Sequence, residues 1–283
     1  MYNFPIGVIL ESFKLPRSEA IKKAAEIGAD GIQMYATKGD NSPENLSASA
    51  RRELLSEVEG RGLVFSALCG DLGQGFGNKA LNPALIEKSK RILELAKDLN
   101  TNIVTTHIGV VPEDENHDRY KIMQEACYEL ANYADSLGAH FAIETGPESS
   151  AVLKRFLDSL GSTGVAVNLD PANLCMVKGD DSVEAVKNLQ KYIVHTHAKD
   201  GNMLIPCNPE EVYRVIDHDR IEEIKYFEEV PLGTGSVNFP PYLKALEEIG
   251  YRGFLTIERE VGKAPEADII LAYNFLKRVI AEN

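Results

Sequence analysis

Eight short runs rich in apolar and β-branched residues recur along this chain, each parted from the next by a stretch with apolar spacing near the helical period. No other feature restricts the fold as strongly. The runs are IGVIL (6–10), GIQMYA (31–36), LVFSAL (63–68), NIVTTHIG (102–109), HFAIET (140–145), VAVNLD (165–170), YIVHTHA (192–198) and FLTIER (254–259). Between them lie segments such as SEAIKKAAEIGA, PALIEKSKRILELAKDLN and MQEACYELANYADSLGA. Several end in a glycine where a helix C-cap needs one, as in EIGAD, SLGAH and EIGYRG. Strand then helix, eight times in 283 residues, predicts an α/β fold: a (β/α)8 TIM barrel of the usual size of about 250 residues. The rival, a doubly wound open sheet, rarely runs to eight uninterrupted units, and no G-x-G-x-x-G follows the first strand. No linker-like run divides the chain, so residues 1–283 are expected to form a single domain. One stretch is irregular: GNMLIPCNPEEVYRVIDHDRIEEIKYFEEV (201–230) stands between strands seven and eight where a regular unit holds a plain helix. In a barrel it projects over the strand C-terminal face, as active-site wall or subunit contact, which leaves a homo-oligomer open.

Charge limits the partners. With 43 acidic against 30 basic residues the net charge is −13, which disfavours a phosphate-backbone binder, so no nucleic acid is expected. The opening MYNFPIGVIL has no basic n-region, and no stretch approaches a membrane span, so a cytoplasmic protein with no membrane partner is expected. Cys69, Cys127, Cys175 and Cys207 lie far apart without a C-x-x-C pair, which suggests neither a zinc knuckle nor a disulfide framework.

Barrel strands should be apolar, so ionisable residues at their C-terminal ends call for an explanation. Strand five ends with Glu144, strand six with Asp170, strand seven with His197 and strand eight with Glu258. The first three lie 26 and 27 residues apart, one β/α unit each, and the last follows 61 residues later because of the insertion. Equal phase means equal height, so the four converge on one point. Three carboxylates there would repel and raise one another's pKa unless a cation sat between them. One divalent metal resolves the conflict; oxygen ligands with one imidazole suit Mn²⁺, Mg²⁺ or Co²⁺ better than Zn²⁺, which stays open. Taken singly each residue has a plainer reading, such as Asp170 opening a turn before Pro171.

His107 in TTHIG ends strand four and is either a substrate hydrogen-bond donor or a satisfied strand-end histidine. His117, His140 and His218 are read as structural or solvated. His195 and His197 lie two apart and face the same side of their strand. His197 is level with Asp170 and Glu258 and is assigned to the metal; His195, one layer lower, supports it by hydrogen-bonding buried polar groups. Lys199 continues the alternation at the rim, as a substrate contact or an exposed loop lysine. The GTGS run (233–236) is either a phosphate-binding helix entry or a tight glycine turn.

FAIETGPE, VNLDPANL, YIVHTHAKDG, VPLGTGSVNFPPYLKALEEIGYRGFLTIE and, more weakly, TTHIG resemble motifs of the xylose-isomerase-like TIM-barrel superfamily of sugar isomerases and epimerases. The resemblance spans essentially the whole chain. It implies that Glu144, Asp170, His197 and Glu258 bind one divalent metal and that Glu144 and Glu258 form the acid/base pair. It also implies a carbohydrate substrate; His107, Asn173, Lys199 and Glu148 are the candidate contacts to it. Three departures concern ketohexose 3-epimerases: a substrate histidine three residues after the metal aspartate is Asn173 here, a glutamate six residues after the first metal glutamate is Ser150, and an arginine six residues after the metal histidine is Met203. Glu148 lies near the missing glutamate but out of register. Endonuclease IV, a three-zinc enzyme of the same fold, needs further histidines that this chain lacks.

The expected function is therefore a metal-dependent isomerase or epimerase of a keto sugar or sugar phosphate, abstracting a proton next to a metal-bound carbonyl through an enediolate. An inosose-dehydratase-like lyase on a keto cyclitol begins with the same step. A non-catalytic sugar-binding barrel is the more distant alternative.

Overall fold

The computed structural model describes residues 2–213, 215–216 and 224–282. Eight parallel strands close into a barrel: β1 (Ile6–Ile9), β2 (Gly31–Tyr35), β3 (Val64–Cys69), β4 (Ile103–Thr106), β5 (His140–Glu144), β6 (Val165–Leu169), β7 (Ile193–Ala198) and, after two intervening strands, β10 (Leu255–Ile257). The eighth barrel strand pairs with both β7 and β1, which closes the ring without an exposed edge. Each of the eight expected runs overlaps one barrel strand, β3 extending one residue past its run to Cys69. The (β/α)8 fold inferred from the alternation is the fold observed.

Helices α1 (Arg17–Glu26), α2 (Ala48–Glu59), α3 (Asn82–Asp98), α4 (Asp118–Ser136) and α5 (Ser150–Leu160) follow the first five strands. A three-residue α6 (Pro171–Asn173) runs into a π turn at Leu174–Lys178, and α7 (Ser182–Leu189) completes that unit. Side-chain caps start several helices: Ser47 accepts from Ala50 N, Ser149 from Val152 N, and Asp181 from Val183 N and Glu184 N. The glycines expected to end helices, Gly28, Gly138 and Gly250, all take positive φ. On α5 the buried Val152, Leu153, Phe156, Leu157 and Leu160 form one stripe against the barrel, each worth about 1.5–3 kcal/mol when fully buried.

The irregular stretch is not a helix. It contains an antiparallel ribbon of β8 (Asp200–Met203) and β9 (Phe227–Val230), with a single turn α8 (Pro209–Val212) between them. Residue 214 and residues 217–223, including His218, lie outside the described residues. After the ribbon, α9 (Phe239–Glu248) restores the regular pattern before β10, and α10 (Pro265–Glu282) packs against β1 and β10. Among the described residues, no helix is long and apolar enough to cross a membrane.

Candidate functional site

Asp170 is placed twice over. Its backbone N–H donates to Thr145 Oγ1 at 2.8 Å while that hydroxyl donates to its carbonyl at 2.9 Å. Its Oδ1 caps α6, accepting from Ala172 N and Asn173 N at 2.8 and 2.9 Å. Oδ2 is left buried without a hydrogen bond and faces His197 Nδ1 at 3.5 Å. The same ring nitrogen lies 3.4 Å from Glu144 Oε1 and 3.3 Å from Glu258 Oε2. On the other side of the ring, Nε2–H donates to Gln33 Oε1 at 3.2 Å, and the Gln33 amide donates to Thr105 Oγ1. With Nε2 engaged there, Nδ1 faces three carboxylates.

One ligand atom from each of Glu144, Asp170, His197 and Glu258 lies within 4.8 Å of the others, and all four residues are buried. A single ion with bonds of about 2.0–2.6 Å can reach every member of such a set. The unpartnered Asp170 Oδ2 and the inward Nδ1 are the atoms such an ion would satisfy. The cluster therefore fits a divalent metal.

The electrostatics show the same tension. Burial opposes protonation of His197, but Glu258 and Glu144 outweigh it and push its pKa well up. Burial also works against the charge on Glu258, yet Lys199 and His197 hold this carboxyl well below the usual range. At Glu144 burial is again overcome, by His107 and His197, and the pKa falls. At Asp170 burial wins over Lys199 and the pKa rises.

A further layer holds these groups. Asn168 donates through Nδ2 to Glu144 Oε2 at 3.1 Å and accepts from His195 Nδ1 at 2.8 Å. Burial keeps His195 neutral, so its Nε2 accepts from the Thr256 hydroxyl at 2.9 Å. Asn173 Nδ2 donates to Glu144 Oε1 at 3.1 Å, and His107 Nε2 lies 3.5 Å from the same oxygen. Lys199 is only 4% exposed, so it is not an exposed loop lysine. It donates to Glu258 Oε2 at 2.9 Å and Glu260 Oε2 at 2.6 Å.

Gln33, Glu144, His197, Glu258 and Glu260 line a cavity of about 630 Å³, together with Val212, Tyr213, Phe227 and Glu229 of the insertion. His107, Asn173 and Lys199 line it; Glu148 does not, and instead lies buried with Oε2 accepting from Val111 N. Glu148, expected as a substrate contact, is thus placed against the loop after β4 rather than on this cavity's wall. The GTGS run is a tight turn. Its Gly233 and Gly235 N–H groups, with those of Gly201 and Val237, are taken by the Asp200 carboxylate at 2.9–3.1 Å. His117 caps α4 through Nδ1, and the four cysteines are free.

Gln33, Asn168, Thr256 and Glu260 were not singled out from the sequence. Gln33 and Asn168 did carry a signal, since an uncharged amide in a buried strand needs partners as much as a carboxylate does.

The sequence profile of the xylose isomerase-like TIM barrel family matches residues 21–279. The chain belongs to this family. Within the xylose isomerase-like barrels it is 23% identical to an Escherichia coli protein named provisionally as the L-ribulose-5-phosphate 3-epimerase SgbU, over 100% of this chain and 98% of that one. It is 23% identical to an inosose dehydratase of Clostridium perfringens over 51% of this chain and 48% of the relative. A xylose isomerase domain protein from Planctomyces limnophilus superposes with a TM-score of 0.80 at 24% identity, covering 99% of both chains.

Proposed function

We propose that this xylose isomerase-like barrel is a divalent-metal-dependent isomerase or epimerase of a keto sugar. The observation that carries the reading is the pairing of Glu144 and Glu258, two buried carboxylates from strands on either side of β6 and β7, each within 3.4 Å of His197 Nδ1. Glu144, Asp170, His197 and Glu258 would hold the metal, which when bound supplies Lewis acidity toward a substrate carbonyl and its neighbouring hydroxyl. One glutamate takes the proton from the carbon next to the carbonyl, leaving an enediolate. The other returns a proton. Return to the same carbon on the opposite face is epimerisation; return to the neighbouring carbon is isomerisation. Asn168 and Asn173 fix both oxygens of Glu144, and Lys199 fixes Glu258, so neither carboxylate must reorient during transfer.

Glu144→Gln and Glu258→Gln should each lower Mn²⁺-dependent exchange of a substrate α-proton with deuterated water by about 10²–10⁴-fold, with unchanged circular dichroism. Wild-type exchange in either variant would remove that residue from acid/base work. The partial match to an inosose dehydratase supports a second reading, in which the same proton abstraction is followed by loss of water. A conjugated enone absorbance in the product distinguishes it.

A further inference from the structure

A second cavity, of about 600 Å³, adjoins the first on the catalytic face. The two share a wall made by Asp71, His107 and Tyr213. The outer compartment is bounded by the β3–α3 loop with Gln74, Gly75 and Asn78, by Gly109 of the following loop, and by Arg119 of α4. Its inner surface is bare backbone where Gly75, at φ 60, approaches Gly109: a Cβ on Gly75 would lie 2.6 Å from the Ile108 carbonyl oxygen and 2.8 Å from Gly109 N.

Size and chemistry identify the class of occupant. A hexose displaces roughly six waters, about 200 Å³ at ~30 Å³ each, so the inner cavity alone exceeds one sugar ring and the outer one has room for another. The outer walls offer what hydroxyl groups bind: the Gln74 amide, Asn78 Nδ2 beyond the Oδ1 that accepts from Ala80 N, and Asp71 Oδ2 beyond the Oδ1 that accepts from Gly73 N. Tyr213, whose ring packs 6.0 Å from that of His107, presents an aromatic surface at the junction. The cations that line the two compartments already hold carboxylate partners. Arg119 is paired with Glu210, Lys199 with Glu258 and Glu260, Lys225 with Glu228, and the GTGS amides with Asp200.

We propose that the substrate is a keto sugar carrying a second, uncharged sugar ring in glycosidic linkage. The reacting ring occupies the inner compartment over the carboxylate cluster, the substituent ring occupies the outer one, and Tyr213 with His107 contacts both. This deepens the proton-abstraction reading and rests on it.

The test compares kcat/KM for α-proton exchange, with Mn²⁺ present, on three forms of each 2-keto and 3-keto hexose: the ring alone, the ring bearing one glucosyl residue, and the ring bearing a phosphate. The glycosylated form should exceed the single ring by about tenfold or more, the worth of one or two hydrogen bonds realised remotely from the reacting carbon. Gln74→Ala and Asn78→Ala, both in an exposed loop, should each shrink that ratio severalfold. Equal or poorer exchange on the glycosylated form, a larger gain from the phosphate, or an unchanged ratio in both variants would overturn the two-ring assignment while leaving proton abstraction intact. Absence of exchange on every ring would overturn the proton-abstraction reading and this assignment together.

Discussion

Asn168 joins Glu144 to His195, and through it to Thr256, by three hydrogen bonds of 2.8–3.1 Å. Replacing it with alanine removes a donor from the Glu144 carboxylate and strands a buried imidazole N–H. Asn168→Ala is therefore expected to weaken Mn²⁺ binding by about 10–100-fold in a calorimetric titration, as loss of such supporting groups does. Glu148 acts differently. Burial pushes its carboxyl up to about 8, well above an unfolded glutamate. The folded protein thus prefers the protonated form; that preference contributes fully below the ordinary glutamate pKa and is lost as pH rises through about 8. Glu148→Gln keeps an acceptor for Val111 N and abolishes the titration. The melting temperature of E148Q should gain on the wild type by a few degrees between pH 5 and pH 9; a constant difference across that range would show that Glu148 does not titrate so. The role of Lys199 was only half legible, because its place at the rim follows from strand alternation but its burial depends on Glu260, one alternation beyond Glu258.

At the scale of elements, one side chain of the ribbon β8–β9 gathers the turn that follows it. The Asp200 carboxylate receives four backbone N–H groups, from Gly201, Gly233, Gly235 and Val237. Arg259, just past β10, adds ion pairs to Glu229 of β9 and to Asp268 of α10. Asp200→Gly leaves those four amides as an anion-binding nest, and should cost about 2–4 kcal/mol in denaturant unfolding. Sulfate should restore part of that loss in the variant and little in the wild type. Failure of sulfate to do so would mean that the turn reorganises without its carboxylate. A bulge between β6 and β7 matters as much: the pairing steps from Val167 opposite Ile193 to Asn168 opposite His195, skipping Val194. Without that step Asn168 would face Val194, and the path from Glu144 to His195 would not exist. The eight strands were legible because alternation of apolar runs is a local signal. The bulge was not, since a register shift depends on two strands meeting.

For the molecule as a whole, three carboxylates, a histidine and a lysine are gathered at the open end of one barrel, so bound metal and folding should be linked. Mn²⁺ at 100 times its Kd should stabilise the folded state by about 2.7 kcal/mol, or roughly 5 °C for a chain of this length. Chelation with EDTA should lower the melting temperature by that amount and Mn²⁺ should restore it, whereas the Glu144→Gln and Glu258→Gln variants should respond less. A melting temperature indifferent to chelator and metal would argue against a metal at this cluster.

The sequence by itself determined the barrel, the common phase of Glu144, Asp170, His197 and Glu258 at the C-terminal ends of its strands, and the place of His197 rather than His195 level with the three carboxylates. Each of these rests on periodicity within one strand or on the constant length of a β/α unit, which the linear chain carries. Tertiary structure alone decided that Nδ1 of His197 faces the carboxylates, that Glu148 lies off the cavity, that Lys199 is buried between two glutamates, and that two compartments meet at Tyr213. Those outcomes turn on hydrogen-bond partners and loop packing from segments dozens to more than a hundred residues apart, where a rotation about one side-chain bond or a one-residue shift in register changes which atoms meet.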